Sequence, residues 1–145
     1  MATALYETDF YTWTQRQAQH LRLEEFEKID WQNIAEEIES LGKRERNEIR
    51  SRLRVLLMHL LKWQWQPRPD SERRSWRSTI DEQRYQLHIL LEDNPTLRTQ
   101  LPDFVAYAYP YAVKGAANET GLAPTLFPRE CTYTVAQLLD EEFWP

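Results

Sequence analysis

The stretch of sequence that decides the fold runs from Ile34 to Trp65 and reads IAEEIESLGKRERNEIRSRLRVLLMHLLKWQW. Its first half is crowded with charged side chains, and its second half holds the almost wholly apolar run Val55–Leu61. Apolar residues recur at steps of three or four, which is the spacing of one face of an α-helix. We therefore predict one long helix over about residues 31–66, ended by the prolines that follow. Its predicted inward positions are Ile34, Ile38, Leu41, Glu45, Ile49, Leu53, Leu56, Leu60 and Trp63.

Two further helices are predicted to flank the long one. Before it, Thr8 or Asp9 can cap a helix. The inward residues of that helix are Phe10, Trp13 and Leu21. After it, Asp70 or Ser71 can cap a helix that ends before Pro95. The inward residues of this later helix are Trp76, Ile80, Gln83, Leu87, Leu90 and Leu91.

The rest of the chain is predicted to hold a fourth main helix from about Pro102 and a short C-terminal helix from Thr134. Pro110 is expected to kink or break the fourth helix near Ala106, because proline lacks an N–H and its ring collides with the preceding turn. Gly121 suits the left-handed residue that ends a helix. The predicted fold is all-α, with four main helices in a mostly antiparallel bundle around the long helix, closed by the short one.

Length and composition exclude several classes of protein. A chain of 145 residues suits a single domain, residues 1–145, that buries a core without disulfides. One cysteine excludes an internal disulfide, and three glycines are few for an all-β protein. No apolar stretch reaches the roughly 18 residues of a membrane span, and the N-terminus does not resemble a secretion signal. We therefore expect a cytoplasmic protein with no membrane partner.

The net charge of −5 hides an uneven distribution. Between Lys43 and Arg84 there are 12 Lys and Arg against 6 Asp and Glu, whereas the rest of the chain holds 6 against 17. One interpretation is a basic helix pair that packs beside acidic elements of the same chain. The other is a basic surface for an anionic partner, either a nucleic acid or an acidic protein.

A polar seam is predicted along the long helix, formed by Glu45, Glu48, Arg52 and His59. Steps of seven place three of these side chains almost on one line, and Glu48 precedes Arg52 by four residues, the favourable order for an ion pair. As structure, the seam is a hydrogen-bonded ladder that sets the register of neighbouring helices. As a site, it offers an acid, a cation and an imidazole in one cleft.

A candidate binding surface lies on the opposite side of the same helix. It consists of Lys43, Arg46, Arg50, Arg54 and Trp65. Trp65 is off the inward stripe, so we expect it, together with Trp144, to mark an exposed apolar patch for a protein partner or a second copy. Arginines interleaved with tryptophans near Pro67 can grip single-stranded nucleic acid, or they can stack on the indole rings within the fold.

The sequence gives little support for a metal site or for a catalytic nucleophile. His20, His59 and His88 fall on three predicted helices, but none has a glutamate three residues before it, as a carboxylate-bridged dimetal bundle requires. Cys131 has no histidine nearby in sequence, so a buried or incidental thiol is favoured over a catalytic one. Three scattered glycines do not build a phosphate loop. We expect no cofactor and no metal.

Several segments together resemble a known family. They are YETDFYTW at residues 6–13, NIAEEIESLG at 33–42, RLRVLLMHLLKW at 52–63 and SWRSTI at 75–80, followed by Phe127-Pro128 and DEEF at 140–143. In combination they are similar to a bacterial family named only as domain of unknown function twenty-nine, which is abundant in cyanobacteria. The resemblance spans nearly the whole chain. It implies a small bacterial helical bundle and brings no activity, cofactor or catalytic residue with it.

The sequence therefore favours a non-catalytic helical module for protein–protein interaction or regulation, with a protein partner or a homodimer. Two alternatives from other classes stay open. One is nucleic-acid binding through the basic 43–84 region, which should weaken steeply as salt rises. The other is an enzyme that uses the polar seam.

Overall fold

The structure is a computed structural model that describes residues 2–145, with side chains from Ala4 onward. Every regular element in this range is helical, so the predicted all-α fold is confirmed. The helices are α1 (Ala2–Thr8), α2 (Phe10–Arg22), α3 (Trp31–Trp65), α4 (Asp70–Asp93), α5 (Leu101–Thr120) and α6 (Val135–Leu139). Short 3₁₀ turns occupy Phe26–Lys28, Pro95–Gln100 and Pro124–Leu126. Over the described residues, none of these helices has the length and apolar character needed to span a bilayer.

The chain forms two compact units, one ending at Arg44 and the other running from Glu45 to Pro145. The boundary falls inside α3, so each unit contains one part of the long helix. The predicted bounds of that helix, about 31–66, are confirmed within one residue. A single domain over residues 1–145 stays a prediction.

The first unit is organised around Trp13. Asp9 caps α2 as predicted, because its carboxylate accepts the backbone N–H of Thr12 at 3.1 Å. The indole of Trp13 is buried and donates to the carboxylate of Asp30 at 3.1 Å. Gln17, which interrupts the apolar stripe of α2 in the sequence, is buried too and accepts the backbone N–H of Asp30 at 2.8 Å. A polar contact therefore holds α2 against the start of α3.

Several residues of the first unit that were predicted to face inward are exposed. Phe10 and Leu21 of α2, and Ile38 and Leu41 of α3, lie on the surface, so the prediction is wrong for these four. Ile34 is half-buried. Helical spacing identifies the apolar face of a helix, but it does not supply an element to cover that face. Helix α1, which the sequence did not predict, packs against α2, where Tyr6 lies edge-on to Phe10 and Trp13.

The core of the second unit follows the predicted stripes closely. Ile49, Leu53, Leu56 and Leu60 of α3 are almost fully buried, as are Ile80, Leu87 and Leu91 of α4. From α5 the predicted residues Phe104, Val105, Ala108 and Ala112 join the same cluster. Burying each large apolar side chain contributes about 1.5–3 kcal/mol, so this cluster dominates the stability of the unit.

Pro110 lies inside α5 without breaking it, so the predicted break near Ala106 is wrong, whereas a kink there stays a prediction. The helix continues to Thr120 and stops at Gly121, whose φ of 74° confirms the predicted left-handed end. Both Pro110 and Ala106 are exposed. Solvent can therefore hydrate the Ala106 carbonyl, which loses its partner when residue 110 has no N–H.

The caps of the other helices are partly as predicted. Helix α4 has Pro69 at its N-cap, so neither Asp70 nor Ser71 holds the predicted capping position. Asp70 is instead the first helical residue, where a carboxylate favours the positive end of the helix dipole. Thr134 caps α6 through a reciprocal pair of hydrogen bonds with Gln137, which confirms the predicted start of that helix.

Candidate functional site

Arg52 is the centre of the polar seam. Its guanidinium donates to Glu48 at 3.3 Å and to Gln83 of α4 at 3.4 Å. These side chains line an open groove of about 350 Å³. Since Glu48 is largely exposed, its ion pair with Arg52 contributes no more than about 1 kcal/mol. The contact with Gln83 links α3 to α4.

The other two seam residues have partners of their own. Glu45 accepts a hydrogen bond from the side-chain amide of Asn94 at 3.1 Å, at the far end of α4. His59 places Nδ1 2.8 Å from the carbonyl of Val55, so Nδ1 carries the proton and donates within α3. Burial lowers the pKa of His59, although the Val55 carbonyl opposes the shift. Glu48 and Arg52 thus pair with each other, whereas Glu45 and His59 bond to other groups, and this pattern supports the interpretation of the seam as a structural ladder.

The candidate binding surface divides into exposed and packed members. Lys43, Arg46 and Arg54 are exposed. Arg50 is half-buried and lies over the rings of Phe104 and Tyr107, with its guanidinium carbon 5.3 and 4.7 Å from their centroids. Trp65 is also half-buried, edge-on to Phe127 at a centroid distance of 6.4 Å. The exposed patch expected at Trp65 is therefore small.

Arginine and tryptophan side chains stack on one another beside the turn between α3 and α4. Arg73 lies 4.3 Å from the centroid of Trp63 and donates to the backbone carbonyl of the same residue at 2.6 Å. The guanidinium carbon of Arg77 lies 5.5 Å from the centroid of Trp63 and 4.6 Å from that of Trp144, and these two rings contact each other with centroids 4.7 Å apart. Such cation–π contacts stabilise the fold and occupy both partners. This arrangement favours the interpretation of the interleaved arginines as structural rather than as a nucleic-acid grip.

Two buried cations in the second unit make long-range contacts that the sequence did not reveal. Arg84 is fully buried and donates to three backbone carbonyls of the C-terminal segment, those of Leu138, Gln137 and Phe143. Burial lowers the pKa of its guanidinium. Lys62 is buried as well and donates to Glu119 at 2.6 Å. Arg84 stands four residues after Ile80 on the inner face of α4, which is the signal that predicts its burial.

Cys131 lines a cavity of about 660 Å³ together with Tyr109, Tyr133 and Arg129. Its thiol donates to the carbonyl of Tyr133 at 3.5 Å, and burial raises its pKa. The Tyr109 hydroxyl donates to the carbonyl of Pro128 at 2.7 Å, and burial raises the pKa of Tyr109 to about 12. A nucleophilic cysteine needs a lowered pKa, so this environment suits an inert thiol.

The three histidines contact different groups. His20 lies 3.4 Å from the carboxylate of Glu25, and Nε2 of His88 lies 3.0 Å from the carbonyl of Leu139. Among the described residues, no group of three or more His, Cys, Asp and Glu side chains is placed to hold a metal ion.

The first part of α3 presents an apolar stripe, which we define as Trp31, Ile34, Ile38 and Leu41. Steps of three and four residues place these side chains along one face of the helix. Trp31, Ile38 and Leu41 are 57%, 64% and 56% exposed, and Ile34 is half-buried. The apolar spacing predicted that Ile34, Ile38 and Leu41 face the core, and Trp31 was not part of that prediction. Three of the stripe's four side chains are large, apolar and more than half exposed.

Comparison with known proteins gives one match. A family model described as "Domain of unknown function DUF29" matches residues 5–144. No curated protein and no solved structure matches the chain.

Proposed function

The chain belongs to the DUF29 family, and we propose that it is a non-catalytic helical module that binds another protein through the apolar stripe of α3. A single observation carries the proposal: three large apolar side chains of one helix face are more than half exposed. Each would contribute on the order of 1–2 kcal/mol if a partner covered it. Contiguous exposed apolar surface with a polar border is typical of protein interaction sites.

The border of the stripe is suitably polar. Glu36, Glu39, Lys43 and Arg44 are exposed on the same part of α3 and carry both signs of charge. Charged side chains at the edge of an interface contribute little affinity but select among partners and raise the rate of association. Lys43 belongs to the surface proposed from the sequence, so that surface and the stripe share one member.

The other two classes of function have weaker support. An enzyme at the polar seam needs its acid, cation and imidazole to meet at one point, whereas Glu45, Arg52 and His59 each bond to a different neighbour. Nucleic-acid binding could use the exposed Lys43, Arg46 and Arg54, but three other arginines of the basic region lie over aromatic rings, namely Arg50, Arg73 and Arg77. We therefore favour protein binding over catalysis and over nucleic-acid binding.

Site-specific photo-crosslinking in the source cells tests the proposal. A benzoylphenylalanine at Leu41 should form a covalent product with a protein, either a different chain or a second copy. The additional change Ile38→Glu should abolish that product, because a carboxylate in a buried apolar contact is strongly unfavourable. The same photo-crosslinking residue at Ser78, an exposed position on α4, is the matched control and should form no product.

Two results would overturn the proposed surface. The first is the absence of any protein product at Leu41. The second is a product that forms only from Arg54, since that would transfer binding to the basic surface proposed from the sequence. A product that disappears on nuclease treatment would instead support the nucleic-acid alternative.

A further inference from the structure

We propose that the protein covering the apolar stripe is a second copy of this chain, bound antiparallel about a two-fold axis. This inference rests on the proposed function, because it names the occupant of the same surface. A two-fold dimer requires a patch that is complementary to itself. The stripe meets this requirement both in its apolar residues and in its charges.

The apolar residues match in one antiparallel register. When the axis passes beside Glu36, Trp31 of one copy faces Leu41 of the other, and Ile34 faces Ile38. The two-fold axis repeats both contacts, so four successive layers are apolar on both sides. Sliding one helix by a heptad would instead place Ile34 opposite Glu45 and bury a carboxylate, which is costly.

The charges favour the antiparallel direction over the parallel one. The segment begins with Asp30 and ends with Lys43 and Arg44, whereas Glu36, Glu37 and Glu39 lie in its middle, close to the proposed axis. In the antiparallel pair, Arg44 of each copy lies beside the acidic start of the other. A parallel pair would bring the acidic starts together at one end and the basic ends together at the other, which is unfavourable.

Two details near the axis are compatible with close approach. Ala35 lies at the exposed edge of the stripe, and its small side chain lets two helices pack tightly. Glu37 would meet the same residue of the second copy. However, the Tyr6 hydroxyl of its own chain donates to that carboxylate at 2.5 Å and holds it toward α1. This contact reduces the repulsion between the two copies.

The size of the contact sets the expected affinity. The stripe spans about 15 Å of helix, so the dimer buries less than a standard interface. We therefore expect a dissociation constant on the order of micromolar and a mass that depends on protein concentration. Sedimentation of the purified full chain across the micromolar range should show a transition from one chain to two.

Matched variants test the surface. Ile38→Glu should raise the dissociation constant by about 100-fold or more, because the two-fold axis places two unpaired carboxylates in the contact. Leu126→Glu makes the same change at an exposed leucine of the second unit and should leave the mass unchanged. Both positions are exposed, so circular dichroism should confirm that each variant keeps its helices.

Disulfide crosslinking tests the direction in a Cys131→Ser background. In the proposed pair, Ala35→Cys lies beside the axis and should crosslink to itself. Trp31→Cys and Leu41→Cys should crosslink efficiently only when the two variants are mixed. Self-crosslinking of Trp31→Cys and of Leu41→Cys would show a parallel pair and overturn the proposed register.

Failure of this inference can be told apart from failure of the proposed function. A single-chain mass at the highest concentration, combined with an Ile38-dependent crosslink to a different protein in cells, would reject the dimer and retain the binding surface. A single-chain mass with no protein crosslink at Leu41 would reject both.

Discussion

The Nε atom of Arg84 lies 2.9 Å from the backbone carbonyl of Leu138, although 54 residues separate them in the chain. The same guanidinium donates to the carbonyl of Phe143 at 2.9 Å. One fully buried side chain of α4 thus satisfies the end of α6 and the segment after it. The C-terminal segment is held by a polar contact as well as by the packing of its apolar side chains.

Replacement of Arg84 should destabilise the second unit strongly. Arg84→Ala removes three donors from partly or fully buried carbonyls and leaves a cavity, so the free energy of unfolding should fall by about 3–5 kcal/mol. Urea denaturation measures the change. Arg74→Ala, at an exposed position of the same helix, is the matched control and should stay within about 0.5 kcal/mol of the unmodified protein. Equal midpoints for the two variants would contradict the structural role of Arg84.

Changes at the two partners of the ion pair between buried Lys62 and half-exposed Glu119 should affect stability differently. Glu119→Ala leaves a buried ammonium without its carboxylate, so we expect a loss of about 1–3 kcal/mol in the free energy of unfolding. Lys62→Met removes the buried charge together with the ammonium, which lies 4.9 Å from the centroid of the Trp76 ring, and puts an apolar side chain in its place, so its effect should be close to neutral or stabilising. Thermal unfolding of both variants gives the comparison. A larger loss for Lys62→Met than for Glu119→Ala would refute this account.

His59 should make the protein less stable in mild acid. Burial lowers its pKa below the ordinary value of 6.5, so the unfolded chain binds a proton more readily than the folded one. The contribution of the neutral imidazole is fully present above pH 6.5 and is lost as the pH falls through that value toward the lower pKa of the folded state. As the pH is lowered from neutral to mildly acidic, the free energy of unfolding should fall less steeply for His59→Gln than for the unmodified protein. Parallel curves of unfolding free energy against pH for these two proteins would show that His59 does not contribute to the acid sensitivity.

Replacing a helical glycine by alanine should have opposite effects on stability at Gly42 and at Gly115. A Cβ at Gly42 of α3 meets nothing within 4 Å, so Gly42→Ala should raise the free energy of unfolding by about 0.5–1 kcal/mol through helix propensity. A Cβ at Gly115 of α5 would lie 2.6 Å from the Sδ of Met58. Gly115→Ala should therefore lose stability, because buried Met58 must move. Denaturation of both variants at low protein concentration checks the pair, and equal stabilisation would mean that Met58 adapts without cost.

Much of the local structure could be predicted because it depends on near neighbours in the chain. The bounds of α3 follow from its apolar spacing and from Pro67, and the start of α6 follows from the Thr134–Gln137 box. Pro110 leaves α5 unbroken for a reason that lies outside its own stretch of sequence. Its effect depends on whether solvent reaches the Ala106 carbonyl, and that is decided by which face of α5 is packed.

In the candidate site, too, some contacts could be predicted from the sequence and others could not. The ion pair of Glu48 and Arg52 follows from a spacing of four residues on one helix. The partners of Glu45 and His59, and the stacking of Arg50 on Tyr107, required knowledge of which helices pack together. The exposure of Ile38 and Leu41 was missed because periodicity marks an apolar face without identifying what covers it.

By itself, the sequence determined most of the helical segments, α1 excepted, where most of them end, and which side of the longer helices is apolar. These properties arise from contacts within about four residues, and the sequence displays them directly. Only the tertiary structure decided that the stripe from Trp31 to Leu41 stays exposed while Arg84 is sealed in the core. Burial depends on side chains that are distant along the chain, and their arrangement is a property of the folded molecule as a whole.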